Sequence, residues 1–424
     1  MIILLIISLP FLAFCVMHYN GKDILISYVP IVLLVLNLLM RKKDTKIYFP
    51  KEARYFALCF LFIFSAVIFN YIAGKVSEKG ISQLIMLFIC FVSYLLLLNI
   101  LIHQKINKIS LFVNIFILIC VAASIYSFLQ VIFPYDVTIQ NSLRNANNAF
   151  AIWDPIYVQN TGHFPNGIGN LLRVTGFAAE PSLWAAFLVV PLCILIPRLF
   201  YKFRIYDLFC FLIIFFSFFL TRGRTGWLSL VLALTLFPTF ILKGGQRKWF
   251  IMFAIIIICL AIFLSLFSSI ISGEGKWSRV ERSLGMVNAF KMFMSSPIFG
   301  VGYGKFLANV SNISPYLGEG GSKGTYAFNS YLRLLAETGI IGFSLWVLFL
   351  KTLWDKLYLQ YKYVQNNTSL KALWIGLGLA FFSILFSWVN IDGNNFIYIW
   401  FIFALVGSLP VIIEKHLGDI EMIK

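Results

Sequence analysis

Residues 81–102 read ISQLIMLFICFVSYLLLLNILI, a run without a single charged side chain. A helix needs about 20 mostly apolar residues to cross the hydrocarbon core of a bilayer, so this run predicts a transmembrane helix. The whole chain has the same character, with 60% hydrophobic residues, 12% charged residues and a mean hydropathy of +0.89. Soluble domains carry about 25% charged residues, so this composition excludes a water-soluble protein.

Similar runs recur between short polar breaks and predict about twelve transmembrane helices. The predicted spans are 2–19, 24–40, 55–73, 81–102, 109–133, 178–200, 205–221, 225–242, 249–271, 335–354, 371–388 and 396–414. The first run has neither a basic segment before it nor a small-residue cleavage site, which predicts a retained helix. The sequence therefore predicts an all-α, polytopic membrane helical bundle that forms one domain over residues 1–424.

The basic residues predict how this bundle lies in the membrane. Twenty of the 34 Lys and Arg residues lie in alternate breaks and in the C-terminal tail. The positive-inside rule assigns those segments to the cytoplasm, which predicts a cytoplasmic (inner) membrane protein with both termini in the cytoplasm. Because the Lys and Arg form no single stripe, the net charge of +17 does not indicate a nucleic-acid partner. Seven of the 12 arginines nevertheless fall on the outer side: Arg144, Arg173, Arg222, Arg224, Arg279, Arg282 and Arg333.

Two predicted outer loops are long, at 134–177 and 272–334, and we expect both to be periplasmic. Loops beyond about 12–15 residues usually carry function, which predicts an active site on the outer face. The chain has no DxD, HExxH or GxSxG motif, so metal-dependent sugar-nucleotide transfer, zinc proteolysis and serine hydrolysis lack their sequence motifs. No metal site and no cofactor are predicted.

The first candidate motif runs from Arg173 to Ser182, RVTGFAAEPS, at the start of the sixth predicted span. Pro181 suits the first position of a helix, which places the Glu180 carboxylate at the cap. A carboxylate at the membrane boundary could serve as a general base, and a simple helix cap is the alternative. The second motif, Thr221 to Gly226, holds Arg222 and Arg224 in a tight outward turn. Guanidinium groups bind phosphate oxygens, and snorkelling to lipid headgroups is the alternative.

The third motif contains Arg279 and Arg282, followed by Pro297-Ile298-Phe299-Gly300-Val301-Gly302. No strand precedes these glycines and no GK[ST] follows, so they are a weak match to a nucleotide loop. The fourth motif runs from Phe328 to Gly342 and includes Asn329, Arg333 and Glu337. Arg333 and Glu337 are four residues apart, so they either form an ion pair on one helix face or line the outer cavity.

Taken in order, the four motifs resemble the O-antigen polymerase and O-antigen ligase superfamily. The Gly-Phe-x-x-Glu-Pro-Ser run at 176–182 is similar to the polymerase-type motif, and Arg-Thr-Gly-Trp at 224–227 resembles the family's Ser-Arg-Thr-Gly-Trp. Arg282 before Pro-Ile-Phe-Gly-Val-Gly, and Asn-Ser-Tyr-Leu before Glu-Thr-Gly, resemble the other two family motifs. Two positions depart from the pattern: Phe328 replaces a His common in ligases, and Gly223 replaces the usual Ser.

The resemblance implies a glycosyltransferase-C-like bundle that acts on a glycan carried by undecaprenyl diphosphate, without a nucleotide sugar or a metal. Membrane lipid is a further partner of such a bundle. It implies that Glu180 and Arg224 are catalytic, and that the diphosphate and glycan are bound by Arg173, Arg222, Arg279, Arg282, Asn329, Arg333 and Glu337. Glu-Pro-Ser and Phe328 favour a polymerase of surface polysaccharide, with a chain-length regulator as a possible partner. A ligase that transfers the polymer to lipid A core, and a flippase for lipid-linked oligosaccharide, are the alternatives.

Overall fold

A computed structural model describes residues 2–10, 15–19, 22–25, 29–40, 48–72, 78–132, 174–178, 181–240, 276–313, 327–391 and 396–421. Its helices are, in chain order, α1 (Ile2–Ser8), α2 (Val29–Met40), α3 (Lys51–Ile72), α4 (Glu78–Leu101), α5 (Ile106–Ile132), α6 (Pro181–Tyr201), α7 (Ile205–Thr221), α8 (Arg224–Leu236), α9 (Lys276–Ser295), α10 (Phe306–Ile313), α11 (Ser330–Leu359), α12 (Tyr361–Val364), α13 (Thr368–Ser387) and α14 (Ile397–Glu421). An antiparallel hairpin, β1 (Cys15–Tyr19) and β2 (Lys22–Leu25), follows α1, and a 3-10 turn, Phe237–Phe240, follows α8.

Seven helical segments in these ranges are long and apolar enough to cross a membrane, so the chain is a multi-pass membrane protein. They are Lys51–Phe69, Gly80–Leu101, Ile106–Gln130, Pro181–Tyr201, Ser330–Val364, Thr368–Ser387 and Ile397–Lys415. Each overlaps a predicted span, and the longest, Ser330–Val364, extends beyond its predicted span 335–354 at both ends. Helices α7 and α8 are apolar but shorter, with 17 and 13 residues.

The structure corrects the prediction near the N-terminus. The predicted span 2–19 is helical only over Ile2–Ser8, because Cys15–Tyr19 forms a strand that pairs with Lys22–Leu25. The predicted span 24–40 is correspondingly helical only over Val29–Met40. The physical reason lies in the sequence, where Asn20-Gly21 is the dipeptide that most favours a two-residue hairpin turn. Hydropathy alone contains no information about this strand pairing.

Other predicted segments differ or remain untested. The span 249–271 and the loop 134–177, except for residues 174–177, lie outside the described residues. The loop predicted at 272–334 contains α9 and α10, and α11 begins within it at Ser330. The total of twelve spans therefore stays a prediction.

Side-chain contacts show that neighbouring helices are antiparallel and define one end of the bundle. Lys202 Nζ donates a hydrogen bond to Ser369 Oγ at 2.9 Å, which joins the end of α6 to the start of α13. Lys356 Nζ lies 2.8 Å from Glu52 Oε1, which joins α11 to the start of α3. We call this end, formed by residues 48–54, 101–108, 198–205, 356–371 and 414–415, the basic end. Its Lys and Arg residues are ones that the sequence assigns to the cytoplasm, and that side remains a prediction.

The opposite end carries the candidate motifs. The Ser330 N–H at the start of α11 donates to the Trp388 carbonyl just after α13, at 2.9 Å. Because α6 and α13 are antiparallel, the N-termini of α6 and α11 lie at this same end. The α7–α8 turn lies here too, since the Val174 N–H donates to the Leu220 carbonyl at 3.4 Å. We call it the arginine end.

Aromatic rings fill the centre of the bundle. The Phe56 ring of α3 stacks on Trp400 of α14 with centroids 4.9 Å apart, and on Phe349 of α11 at 5.0 Å. Trp346 lies 5.8 Å from Trp388. These residues are fully or almost fully buried, so the rings connect α3, α11, α13 and α14 into one core.

A glycine sets the distance between α6 and α13. A Cβ built at Gly376 would lie only 3.0 Å from the Ile194 Cα and 3.1 Å from its carbonyl oxygen. At Gly378 the nearest atom would be 3.5 Å away, in the Trp354 ring, which is ordinary van der Waals contact. Small residues let helix backbones approach closely in membranes, and Gly376 does so here.

We expect Gly376→Ala to lower the thermal unfolding midpoint of the detergent-purified protein, because the Ile194 backbone must move. Overpacking costs about 1–3 kcal/mol, which outweighs the gain of about 1 kcal/mol from replacing a helical Gly by Ala. Gly378→Ala is the matched control and should keep or raise the midpoint. Equal midpoints for the two variants would contradict the close approach of α6 and α13.

Candidate functional site

The turn between α7 and α8 presents two arginines at the arginine end. Arg222 ends α7 with a left-handed backbone (φ 49°), and its N–H donates to the Phe219 carbonyl at 3.2 Å. Thr221 Oγ1 accepts from the Gly223 N–H at 3.1 Å, and α8 begins at Arg224. The side chains of Arg222 and Arg224 are both exposed. The local hydrogen bonds therefore hold the backbone while the guanidinium groups stay accessible.

Two glycines press this turn against the first turn of α6. A Cβ built at Gly223 or at Gly226 would lie 2.6 Å from the Ala185 Cβ, and the one at Gly223 would lie 3.4 Å from the Pro181 carbonyl oxygen. The N-termini of α6 and α8 are thus neighbours. Helix N-termini offer free N–H groups and a partial positive charge, so two of them beside two arginines favour an anion.

The same contacts explain why Gly223 departs from the family's Ser. Side-chain atoms at this position would overlap Ala185 unless α6 and α8 moved apart. The departure accordingly serves close helix packing in this chain.

A short strap, residues 174–178, crosses in front of the α6 N-terminus. Gln130 Oε1 accepts from the N–H groups of Thr175 and Gly176 at 3.2 and 3.0 Å, and its Nε2 donates to the Gly176 carbonyl at 3.1 Å. The Phe177 ring stacks on Tyr126 with centroids 4.3 Å apart. Helix α5 therefore holds the strap by one amide side chain and one ring.

Gly176 allows the strap to lie directly on Trp184. Its φ is +53°, and a Cβ there would come within 2.2 Å of the Trp184 ring. The indole N–H of Trp184 in turn donates to Ser127 Oγ at 3.0 Å. The conformation that L side chains rarely adopt, together with the overlap, requires glycine at 176.

Arg173 and Glu180 flank this strap, and both lie outside the described residues. Their neighbours are placed: Val174 bonds to the end of α7, and Pro181 lies beside Gly223. The first and second motifs therefore meet at the arginine end. Gln130 and Trp184 were not among the predicted site residues. The only sequence signal for Gln130 is a bifunctional amide close to the outer end of an apolar span.

The third and fourth motifs form a backbone crossing, in which residues 297–302 pair with residues 336–341 of α11. The Val301 N–H donates to the Ala336 carbonyl at 2.9 Å, and the Gly302 N–H donates to the Glu337 carbonyl at 3.1 Å. In the other direction, the Ile340 N–H donates to the Pro297 carbonyl at 2.9 Å. The two family motifs thus satisfy each other's backbone groups.

Gly300 and Gly339 make this crossing possible. A Cβ at Gly300 (φ +73°) would lie 2.5 Å from the Glu337 carbonyl oxygen, and one at Gly339 (φ +63°) would lie 2.3 Å from the Ile298 carbonyl oxygen. At Gly339 the backbone is also non-helical, with ψ −167°, which kinks α11. That φ/ψ region is essentially restricted to glycine.

Glu337 and Asn329 accept hydrogen bonds from backbone N–H groups at the starts of helices. Glu337 is buried, and its Oε1 lies 3.4 Å from Arg333 Nε and accepts from the Phe306 N–H at 3.2 Å. The ion-pair alternative for Arg333 and Glu337 is therefore confirmed, and the same carboxylate caps α10. Asn329 Oδ1 accepts from the Leu332 N–H at 2.9 Å, which makes it the N-cap of α11.

Phe328 occupies the position where ligase-type relatives have His. Its backbone is left-handed (φ 49°), and the Arg282 guanidinium lies 5.1 Å from its ring centroid. This cation–π contact places Arg282 beside the α11 N-terminus. Arg279 belongs to α9, but its side chain lies outside the described residues.

A family model described as O-antigen ligase matches residues 209–347. That range includes the arginine turn, α9, α10 and the backbone crossing. The match confirms the resemblance to the O-antigen polymerase and ligase superfamily, and it does not distinguish a polymerase from a ligase. No curated protein matches the chain.

We expect Gly339→Ala to reduce the yield of monodisperse protein and to lower its unfolding midpoint. A strained backbone of this kind costs about 1–3 kcal/mol for a residue other than glycine, and the overlap with Ile298 adds to that cost. Ile340→Ala is the matched control, because its exposed side chain is lost while its N–H bond to Pro297 remains. Wild-type behaviour of Gly339→Ala would disprove the crossing.

Proposed function

We propose that this chain is an O-antigen (surface polysaccharide) polymerase. It transfers a glycan from undecaprenyl diphosphate onto another lipid-linked repeat unit at the outer face of the cytoplasmic membrane. The observation that carries the proposal is the packing of the arginine turn on the α6 N-terminus, which joins Arg222 and Arg224 to the Glu-Pro-Ser motif. The family match over residues 209–347 supports the same class of reaction.

The reaction forms one bond and breaks one. A hydroxyl oxygen of the acceptor glycan attacks the anomeric carbon of the donor, and the bond from that carbon to the diphosphate oxygen breaks. The diphosphate leaves with its negative charge, and the hydroxyl proton passes to a base. Such a reaction needs cations at the leaving group and a carboxylate at the acceptor, and no nucleotide sugar or metal enters it.

In this proposal Arg224 stabilises the leaving diphosphate, Arg222 assists, and Glu180 accepts the proton. Guanidinium groups bind phosphate oxygens in a bidentate manner, and the helix N-termini beside them add to the attraction. The exposure of both arginine side chains agrees with this role.

Further arginines extend the proposed site along the glycan. Arg173, Arg279, Arg282 and Arg333 would contact the diphosphate and the neighbouring sugars. The contacts of Asn329 and Glu337 fit a supporting role: Asn329 caps α11, and Glu337 holds Arg333 at 3.4 Å. Glu180 therefore stays the proposed base, with Glu337 in reserve.

One observation favours a polymerase over a ligase. The position of the ligase-type His holds Phe328, whose ring contacts Arg282, so a base is not available there. A flippase would need basic residues inside the bundle, whereas Arg222 and Arg224 lie at helix ends and are exposed.

The proposal predicts chain growth by the purified protein in detergent supplied with lipid-linked repeat units. We expect Arg224→Ala to lower the growth rate by at least 10-fold, as removal of one charge-stabilising donor costs roughly 10²–10³ in rate. Glu180→Gln should also lower it. Arg204→Ala is the matched control, since this exposed arginine lies at the basic end. Absence of chain growth with correctly folded wild-type protein would refute a polymerase. Chain growth in detergent cannot be ascribed to a flippase, because detergent removes the membrane across which a flippase moves its substrate.

A cellular experiment separates the two glycan-transfer reactions. Deletion of the gene should leave lipid A core that carries a single repeat unit, because transfer to the core continues while polymerisation stops. Bare core, with polymer accumulating on the undecaprenyl carrier, would instead identify a ligase. Electrophoresis of the extracted surface glycan distinguishes the two outcomes.

A further inference from the structure

The loop at the backbone crossing lies inside the bundle, at a distance from the arginine end. The Phe299 ring stacks on Phe62 of α3 with centroids 6.3 Å apart, and a Cβ built at Gly342 would lie 3.3 Å from the same Phe62 ring. Phe62 lies ten residues before the end of α3 at Ile72, which is about 15 Å at the rise of an α-helix. Residues 298 and 299 are therefore level with the interior of α3.

The outer part of α3 remains apolar past this level. Phe69 and Ile72, which lie further out than Phe62, have 74% and 80% of their surface exposed. The candidate membrane span of this helix, Lys51–Phe69, likewise extends seven residues past Phe62. Phe299 thus lies level with the apolar part of the candidate membrane span Lys51–Phe69.

The chain returns to the surface directly afterwards. A Cβ built at Gly304 would lie 2.5 Å from the Cα of Gly80, the first residue of the span Gly80–Leu101. Five residues therefore lead from the Phe299 level to the outer end of α4. A segment that enters and leaves through the same side is re-entrant.

The hydrogen bonds of this segment suit that environment. Non-helical backbone at membrane depth is tolerated only where its polar groups are satisfied within the protein. The Gly300 N–H donates to the Ser296 carbonyl at 2.9 Å, Ser296 Oγ donates to the Gly300 carbonyl at 2.9 Å, and the crossing with α11 satisfies Val301 and Gly302.

The outward edge of the segment is apolar. Helix α9 packs Asn288, Ala289 and Met292 inward. Its opposite face and the following turn expose large apolar side chains, each with 48–63% of its surface accessible: Val287, Phe290, Met294, Ile298 and Phe299. The exposed Lys291 beside them can extend its charge toward the surface. We call these five apolar residues the α9 edge.

We propose that residues 286–304 form a re-entrant membrane element whose α9 edge contacts the acyl chains of lipids in the leaflet at the arginine end. The element does not rest on the proposed enzymatic function. It replaces part of the aqueous loop expected at 272–334 with a membrane-embedded segment. Arg282 lies one turn before this element and is thereby held near the membrane surface.

Site-directed spin labelling in lipid nanodiscs tests the proposal. A parent chain carries Cys15→Ser and Cys259→Ser, and a single cysteine is then introduced in place of Met294 or Ile298. The parent without an introduced cysteine measures labelling of the five remaining cysteines, which are buried. Leu61→Cys on the exposed face of α3 is the bilayer reference. Ser283→Cys, exposed on the same face of α9 but nearer its charged start, is the matched shallow control.

We expect the labels at 294 and 298 to show an oxygen-to-nickel-chelate accessibility ratio close to that at 61 and severalfold higher than that at 283. A ratio equal to that at 283 would place the edge in water and overturn the proposal. Low accessibility to both oxygen and the nickel chelate would mean that a protein segment or a second copy of the chain covers the α9 edge. This result would also overturn the proposal. The side chains replaced by cysteine at 61, 283, 294 and 298 are all exposed, so these changes should preserve folding.

Discussion

The backbone crossing between residues 297–302 and α11 is the constraint on which the arginine end depends. Two polypeptide backbones approach so closely there that neither Gly300 nor Gly339 has room for a Cβ. Every hydrogen bond across the crossing joins two of the family motifs. The crossing kinks α11 at Gly339, and the buried Glu337 beside it anchors both Arg333 and the start of α10. The motif glycines consequently build a scaffold, where a nucleotide loop would use its glycines to admit phosphate.

Close packing performs a similar task at the arginine turn. Gly223 and Gly226 lie on Ala185, so the N-termini of α6 and α8 become neighbours. Two arginines then stand where free helix N–H groups already attract anions, at the end of the bundle that the sequence predicts to face outward. The arginines and the helix N-termini both raise the local positive potential at the arginine end. A diphosphate leaving group is an anion that such a potential stabilises.

The candidate site was predictable in composition and only partly in arrangement. Sequence motifs pointed to Arg222, Arg224, Arg282, Arg333, Asn329 and Glu337, and the described residues place all of these toward the arginine end. The motifs did not reveal that Glu337 is buried and caps α10, because its partner Phe306 lies 31 residues away in sequence. Gln130 escaped notice for the same reason: its partners Thr175 and Gly176 lie about 45 residues away in sequence.

The sequence by itself determined that this is a multi-pass membrane protein, since hydrophobic length is a local property and each apolar run must cross the bilayer on its own. It also determined which residue types gather in the long outer segments. Tertiary structure decided the rest. Pairing with β2 turned the second half of the first predicted span into a strand, and the crossing with α11 drew residues 298 and 299 down to the level of Phe62. Both outcomes depend on contacts between segments, and hydropathy contains no information about which segments will meet.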